Sequence, residues 1–324
     1  MPFSISVIIP AYNAEKTIGQ CLHALKQQNY PSASFEVILV DDGSKDATGE
    51  IARTYDIKYL RQENSGPATA RNKGAMAAKG EIILFTDSDC VPEPDWIREM
   101  AAPFSDKSVM AVKGAYRNRQ KSIVARFAQL EFEERFEMLK KAASIDMVDT
   151  YSAGFRKDAF LQLDGFDTSF PVANNEDTEL SYRMSKLGFK MVFNPNAIVF
   201  HLHHPASVKR YASLKFWRGY WRTVVYKKFP GKMLKDTYTP QTLKLQILFL
   251  FLFLMSIPFS VFSPTGLYAA FGAGAFFFIL SLPLMILGVR KDCVVGLCVP
   301  FLLVLRAGAL GFGMLWGMVR TRFH

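Results

Sequence analysis

Two aspartates, Asp87 and Asp89, directly follow a short apolar run and could hold a divalent metal ion. In an extended backbone, residues two positions apart point to the same side, so both carboxylates would face one ligand. Carboxylate oxygens suit Mg²⁺ or Mn²⁺, and such an ion could neutralise a diphosphate group. The chain has no phosphate-binding loop of the G-x-x-x-x-G-K-[ST] type and no G-x-G-x-x-G pattern. A metal ion would therefore have to hold any diphosphate that the protein binds.

Short apolar runs that alternate with helical patterns must position these aspartates. Strands are predicted at 5–10, 35–40 and 81–85, and helices at 14–28, 47–55 and 68–79. This alternation predicts a parallel sheet that is covered by helices on both faces. Ligands of such sheets bind beyond the carboxyl ends of the strands. The sequence places Ala11, Tyr12, Asn13, Asp41, Asp42, Asp87 and Asp89 there.

Five motifs, in the same order along the chain, resemble those of family 2 glycosyltransferases. They are V-I-I-P-A-Y-N at 7–13, V-D-D-G-S at 40–44, N-S-G-P-A-T-A-R-N-K-G at 64–74, T-D-S-D at 86–89 and N-E-D at 175–177. The resemblance covers about residues 4–204. It implies an α/β fold of the GT-A class, with a Rossmann-like, mixed, mostly parallel sheet sandwiched by helices. It also implies metal-dependent, inverting transfer of a sugar from a nucleotide-sugar donor.

The resemblance also implies roles for individual residues. Those implied on the donor side are Pro10, Ala11, Tyr12, Asp41, Arg71, Asp87 and Ser88. The implied metal ligands are Asp89, Asp87 and His201, which is preferred over His203. Asp177 is implied as the catalytic base, Glu176 shapes the acceptor site, and Gly154, Trp217 and Arg218 lie on the acceptor side.

Simpler roles stay open for several of these residues. Asp42 could cap the turn that follows it, and Arg71 could support a helix through surface pairing. Glu176 and Asp177 also suit the first turn of a helix, because acidic side chains stabilise helix N-termini. His201 could be a histidine buried against a helix.

The C-terminal third combines a basic segment with long apolar segments. Of the formal net charge of +10, residues 205–242 hold nine Lys or Arg and one Asp. Their interleaved aromatic and basic side chains predict an amphipathic helix on an anionic membrane rather than a nucleic-acid surface. Residues 245–262 and 266–289 carry no charge and are long enough for two membrane spans.

A third apolar segment, 293–319, is compatible with two topologies, because it contains Arg306 near its middle and Pro300. Either it is a third span whose Arg306 faces the helix bundle or a lipid phosphate, or it is a broken, interfacial or re-entrant element. The expected parts of the chain are therefore a GT-A domain at 1–204, a basic juxtamembrane segment at 205–242 and a transmembrane region at 243–324.

The expected function is sugar transfer from a nucleotide sugar, with a UDP-sugar favoured, to a lipid-linked glycan in cell-surface polysaccharide or glycoconjugate assembly. The expected location is the inner membrane, with several spans and the catalytic domain facing the cytoplasm. A polyprenyl phosphate could instead be the nucleophile, and Asp177 would then not be needed as a base. A further alternative is a non-catalytic membrane scaffold with a transferase-like domain.

Overall fold

The structure is a computed structural model that describes residues 2–170 and 174–320. The chain divides into two compact units, one formed by residues 1–119 and 138–203 and the other by residues 120–137 and 204–324. Residues 120–137, which the motif pattern placed within the catalytic domain, belong to the second unit.

In the described part of the first unit, eight strands form one sheet in the order β3-β2-β1-β4-β7-β6-β8-β5. The strands are β1 Ile5–Ala11, β2 Phe35–Asp41, β3 Lys58–Arg61, β4 Ile82–Phe85, β5 Cys90–Pro92, β6 Val109–Arg117, β7 Ala153–Arg156 and β8 Lys190–His201. Strand β7 runs antiparallel to β4 and β6, β5 runs antiparallel to β8, and the other pairs are parallel. The predicted mixed, mostly parallel sheet is confirmed.

Helices connect the strands. They are α1 Ile18–Lys26, α2 Thr48–Ala52, α3 Pro67–Ala77, α4 Trp96–Ala101, α5 Ile123–Leu139, α6 Lys157–Gln162 and α7 Glu176–Lys186, and all but α5 belong to the first unit. Helix α3 packs closely on the sheet at Gly74, where an added Cβ would collide with the side chain of Ile8. Close packing at this glycine positions the N-terminal turns of α3 beside the ends of β1 and β2.

The second unit consists of helices. After α5 it contains α8 Val208–Lys228, α9 Pro230–Leu234, α10 Gln241–Ser260, α11 Pro264–Lys291 and α12 Cys293–Arg320. Helices α10, α11 and α12 are each long and apolar enough to cross a membrane, by length and composition. Helix α12 is continuous through Pro300, so a break in the third apolar segment is not observed.

Helix α5 joins the second unit through its apolar face. Val124, Phe127 and Leu130 belong to a buried cluster with residues of α8, α10, α11 and α12. Helix α5 is amphipathic, and the partners of its apolar face lie more than 80 positions later in the chain.

Candidate functional site

Asp41 ends β2, and its two carboxylate oxygens accept hydrogen bonds, one from the loop that follows β2 and one from β3. Oδ1 accepts a hydrogen bond from the backbone N–H of Ser44 at 2.8 Å, and Oδ2 accepts one from the hydroxyl of Tyr59 at 2.5 Å. Burial raises the pKa of Asp41, but the hydrogen bonds from Ser44 and Tyr59 outweigh it and lower the pKa below 3.8. Asp41 is therefore an ionised, fixed carboxylate, and its contact with a nucleobase or ribose stays a prediction.

Asp42 stabilises the loop before α3. Its Oδ1 accepts hydrogen bonds from the side chain of Gln62 and the N–H of Ser65, both at 2.8 Å, and its Oδ2 accepts one from the N–H of Gly66 at 2.9 Å. The capping role is thus observed, although Asp42 caps a loop about twenty positions away rather than the turn that follows it.

Replacing Asp42 with alanine should destabilise the first unit. The Asp42→Ala variant leaves the buried N–H of Gly66 without its acceptor, which costs about 1–3 kcal/mol. Urea unfolding of the purified protein would measure this loss. Asp56→Ala, at an exposed position, is the control, and equal unfolding midpoints for the two variants would contradict the capping role.

The end of β1 supplies one exposed ring. Pro10 and Ala11 are buried in the strand, whereas Tyr12 is 49% exposed. Asn13 follows with a positive φ of 49°, and its side-chain oxygen accepts a hydrogen bond from the N–H of Lys45 at 2.9 Å. Strand β1 lies between β2 and β4 in the sheet. Asp41 and the carboxyl end of β4 are therefore two strand spacings, about 10 Å, apart on the side of the sheet where these strands end. Tyr12 therefore presents an open aromatic face on that side.

Arg71 joins two motifs that lie far apart in the sequence. Its Nη1 donates to Oε1 of Glu176 at 2.7 Å, and its Nη2 donates to Oδ1 of Asp87 at 2.8 Å. The Arg71 residue is only 3% exposed, so surface pairing does not describe it. The T-D-S-D and N-E-D segments consequently meet at one buried guanidinium.

Glu176 and Asp177 begin α7 directly after Asn175, which has a positive φ of 70°. Burial raises the pKa of Glu176 to about 7, although the adjacent Arg71 opposes that rise. Asp177 is half-buried, and its Oδ1 accepts a hydrogen bond from the N–H of Thr178 at 2.7 Å. Among the described residues, Oδ2 of Asp177 receives no hydrogen bond. The two acids occupy a helix start, and Asp177 also retains an oxygen that could accept a proton.

Strand pairing assembles a candidate metal centre. Cys90 of β5 pairs with His201 of β8, and ligand atoms of Asp89, Cys90 and His201 lie within 4.8 Å of one another. Nε2 of His201 is 3.8 Å from Oδ1 of Asp89. Burial raises the pKa of Cys90 well above 9.0, so this residue remains a neutral thiol. One carboxylate and one imidazole suit Mn²⁺ or Mg²⁺ better than a metal that requires thiolates.

Asp87 stands apart from this cluster, because its Oδ1 binds Arg71. Its role as a metal ligand stays a prediction, as does the donor contact of the half-buried Ser88. Burial raises the pKa of Asp89, and the charge of Asp87 adds to that rise, while His201 opposes it. A cation placed beside Asp89 would therefore relieve an unfavourable concentration of negative charge.

The residues predicted on the acceptor side have different surroundings. Gly154 lies inside β7, where an added Cβ would approach Leu84 to 2.8 Å and Met100 to 3.2 Å. Packing of the core therefore accounts for this glycine, and its acceptor role stays a prediction. Trp217, 45% exposed, and Arg218 lie on α8 of the second unit, and their acceptor roles likewise stay predictions.

A buried lysine near the candidate metal centre was not anticipated. Lys113 of β6 is fully buried, pairs with Asp149 and donates to the hydroxyl of Tyr151 at 2.9 Å. The ring of Tyr116 contacts Tyr151 edge-on at 4.4 Å and lies 5.7 Å from the ring of His201. The sequence does contain a signal for this buried ion pair, namely a lysine inside the apolar run 109–115. A lysine buried there requires a buried partner.

Comparisons with known proteins agree with this geometry. Residues 6–163 match the family model described as Glycosyl transferase family 2. Glycosyltransferase AglE of Haloferax volcanii is 28% identical over 211 residues, which are 63% of this chain and 68% of that protein. Putative glycosyltransferase EpsH of Bacillus subtilis is 38% identical over 114 residues, which are 34% of this chain and 33% of that protein.

Among solved structures, the mannosyltransferase PcManGT from Pyrobaculum calidifontis, in complex with GDP-Man and Mn²⁺, superposes with a TM-score of 0.63. The sequence identity is 19%, and the superposition covers 99% of this chain and 89% of that chain. At this identity the likeness establishes the fold, which is of the GT-A type.

Proposed function

The chain carries a family 2 glycosyltransferase domain, matched over residues 6–163, and we propose that it transfers a sugar, with inversion, from a nucleotide-sugar donor to a lipid-linked glycan. The observation that carries this proposal is the bridge from Asp87 through Arg71 to Glu176. The bridge brings the predicted donor and acceptor motifs together at one edge of the sheet. A scaffold without activity would have no need to bury Arg71 and Glu176 beside the half-buried Asp87.

Asp177 is the proposed general base. Inverting transfer requires one base that deprotonates the acceptor hydroxyl as it attacks the sugar. Glu176 is the weaker candidate, because it is 2% exposed and already bound to Arg71. Asp177 is half-buried and has Oδ2 available, so it can accept the proton. Glu176 then positions Arg71 at the same site.

Asp89 and His201 are the proposed ligands of a divalent ion, Mn²⁺ or Mg²⁺. Such an ion would neutralise the charge of the departing diphosphate. Arg71 is poorly placed to do this alone, because it already pairs with two carboxylates. PcManGT is described in complex with GDP-Man and Mn²⁺, and GalNAc-T7, with a TM-score of 0.50, is described with UDP, GalNAc and Mn²⁺. These complexes support a metal-assisted nucleotide site here.

The membrane is the proposed source of the acceptor. Helices α10 and α11 have the length and apolar composition of spans, and the basic α8 suits anionic lipid headgroups. We place the enzyme at the cytoplasmic face of the inner membrane, where nucleotide sugars are available. A lipid-linked glycan would reach such an enzyme by diffusion in the bilayer.

Nucleotide binding should depend on both the metal and Asp89. Thermal shift assays with UDP, GDP, TDP and CMP, each with and without Mn²⁺, test this in the full chain. We expect one nucleotide to raise the melting temperature in the presence of Mn²⁺, because a ligand at about 100 times its Kd stabilises the folded state by about 2.7 kcal/mol. Asp89→Asn should abolish the metal-dependent part of the shift.

Asp95→Asn is the matched control, because Asp95 lies on the same stretch of chain and pairs with Arg98 at the surface. This variant should behave like the unmodified protein. No metal-dependent shift with any nucleotide, or an unchanged shift in Asp89→Asn, would overturn the proposed site.

A further inference from the structure

The N-terminal half of α12 belongs to the same buried cluster as α5. Val295, Val299 and Leu303 of α12 share a buried cluster with Phe127 and Leu130 of α5. Helix α5 also carries the charged residues Arg126, Glu131, Glu133, Glu134, Arg135 and Glu137. A helix with six ionisable side chains cannot enter the hydrocarbon core of a bilayer, where each would cost about 2.5–3.5 kcal/mol. The N-terminal half of α12 therefore lies beside a helix that must stay outside that core.

The middle of α12 is bound to the same helix by charge. Nη1 of Arg306 donates to Oε1 of Glu131 at 3.1 Å, and Glu131 also accepts hydrogen bonds from Lys215 at 3.0 Å and Tyr211 at 2.9 Å. Arg306, Glu131 and Lys215 are at most 3% exposed. Burial alone would raise the pKa of Glu131, but Lys215 and Arg306 lower it to about 2. The charge of Arg306 is thus compensated by a residue of α5, which fixes the middle of α12 at the level of that helix.

The C-terminal half of α12 is packed against α8. A Cβ atom added at Gly317 would lie 2.9 Å from the carbonyl oxygen of Tyr220. A Cβ atom added at Gly219 would lie 3.1 Å from the backbone nitrogen of Met314. The hydroxyl of Thr223 donates to the carbonyl oxygen of Met314 at 3.3 Å. The two backbones are therefore in contact. Helix α8 carries Lys209, Arg210, Lys215, Arg218, Arg222, Lys227 and Lys228.

Among the described contacts, α10 meets α12 along its first half, as far as Phe251, whose ring centroid lies 5.0 Å from that of Phe312. Gln246 accepts a hydrogen bond from Arg306 at 2.7 Å, and Leu250 lies 3.7 Å from the Cβ position of Gly308. Further along α10, Phe253 packs on Gly274 of α11 at 3.5 Å. If α12 crossed the bilayer beside α10, its last turns would lie next to the last turns of α10. They lie instead next to α8.

We propose that α12 does not cross the bilayer but lies along its surface, on the same side as α8. Seven of the nine exposed large apolar residues of α12 form one stripe, with a spacing of three or four positions except at Gly308. They are Val294, Leu297, Phe301, Val304, Phe312, Leu315 and Val319. The other two, Trp316 and Met318, lie in the last turns of α12. The stripe inserts into the acyl-chain region of one phospholipid leaflet, and the cations of α8 face anionic headgroups. This assignment is independent of the proposed catalytic function.

Two features favour a lipid leaflet as the partner of the apolar stripe on α12. They are its continuity with the apolar surfaces of α10 and α11 and the basic residues of α8. The exposed apolar surface of α12 belongs to the same unit as that of α10 and α11, where Met255 and Phe271 are 66% and 78% exposed. A membrane that receives α10 and α11 must pass close to α12, because α12 contacts both of these helices. Apart from Lys215, which is buried against Glu131, the six other basic residues of α8 add an attraction for anionic lipids that an apolar protein partner would not exploit.

Depth-dependent fluorescence quenching tests this placement. Single cysteines at Phe301, Phe312 and Val319 would be labelled in a Cys293→Ala/Cys298→Ala background, since Cys21 and Cys90 are fully buried. The full chain would be reconstituted in vesicles of phosphatidylcholine and phosphatidylglycerol that carry spin labels at graded depths. We expect all three labels to report one shallow depth. For a spanning helix, the 18 positions from 301 to 319 would spread over about 27 Å.

Leu248→Cys and Phe259→Cys on α10 provide the internal reference, because 11 helical positions correspond to a depth difference of about 16 Å for a span. A spread on α12 that matches a span would overturn the proposal. Absence of quenching at all three α12 positions would also overturn it, since the stripe would then be covered by protein. As a second measurement, Arg320→Cys at the end of α12 and Lys228→Cys should react with an impermeant maleimide from the same side of sealed vesicles, and reaction from opposite sides would contradict the assignment.

Discussion

Asp177→Asn should lower kcat for sugar transfer by about 10²–10⁴, because the variant lacks the general base. The asparagine side chain keeps the shape and can still accept the hydrogen bond from the N–H of Thr178, so the start of α7 should fold normally. Nucleotide binding with Mn²⁺ should be retained, since Asp177 does not belong to the Asp89, Cys90 and His201 cluster. Transfer kinetics and thermal shifts on the same preparation would separate the two effects.

Asp158→Asn is a closely matched control for this variant. Asp158 also lies in the first turn of a helix, and its Oδ1 also accepts a hydrogen bond from the next N–H in the chain, at 2.7 Å. If the loss of a negative charge at a helix start were the whole effect, Asp158→Asn and Asp177→Asn would lower kcat equally. If Asp177→Asn keeps most of its activity, the base is not needed, and an already anionic nucleophile such as a polyprenyl phosphate becomes the better acceptor.

Local patterns were sufficient to predict the elements that surround the site. The apolar runs at 5–10, 35–40 and 81–85 became β1, β2 and β4, because a buried parallel strand needs apolar side chains on both faces. Acidic residues at the ends of two of these strands could be found because the carboxyl edge of such a sheet is where ligands bind. The convergence at Arg71 was accessible only through motif resemblance.

Long-range partners could not be predicted from the same patterns. Strand β5 has three residues, which is too short to show a period, yet its pairing with β8 brings Cys90 opposite His201. The acidic face of α5 has the composition of an ordinary solvated helix, although Glu131 is fully buried against Arg306, 175 positions away. Nothing local to either residue specifies its partner, so only the folded chain reveals the pair.

Arg71→Met should remove activity and also destabilise the first unit by about 3–5 kcal/mol, which is the cost of leaving the buried carboxylate of Glu176 without its cation. The side chains of Arg71 and Glu176 are 4% and 3% exposed, so water cannot replace the lost pairing. Urea unfolding and transfer assays would measure the two losses. Arg98→Met, which removes an exposed arginine paired with Asp95, should change stability by less than about 1 kcal/mol.

A second substitution separates the structural role of the bridge from its catalytic role. Glu176→Gln removes one of the two carboxylates that Arg71 neutralises, so the double variant Arg71→Met/Glu176→Gln should be more stable than Arg71→Met alone. Activity should stay low in the double variant, because Asp87 still lacks its ion pair with Arg71. Equal stability of the single and double variants would contradict this assignment, because removal of Arg71 removes the charge that opposes the rise in the pKa of Glu176. The benefit of Glu176→Gln should be larger at pH 8 than at pH 6, since the unfolded chain releases a proton that the buried Glu176 retains.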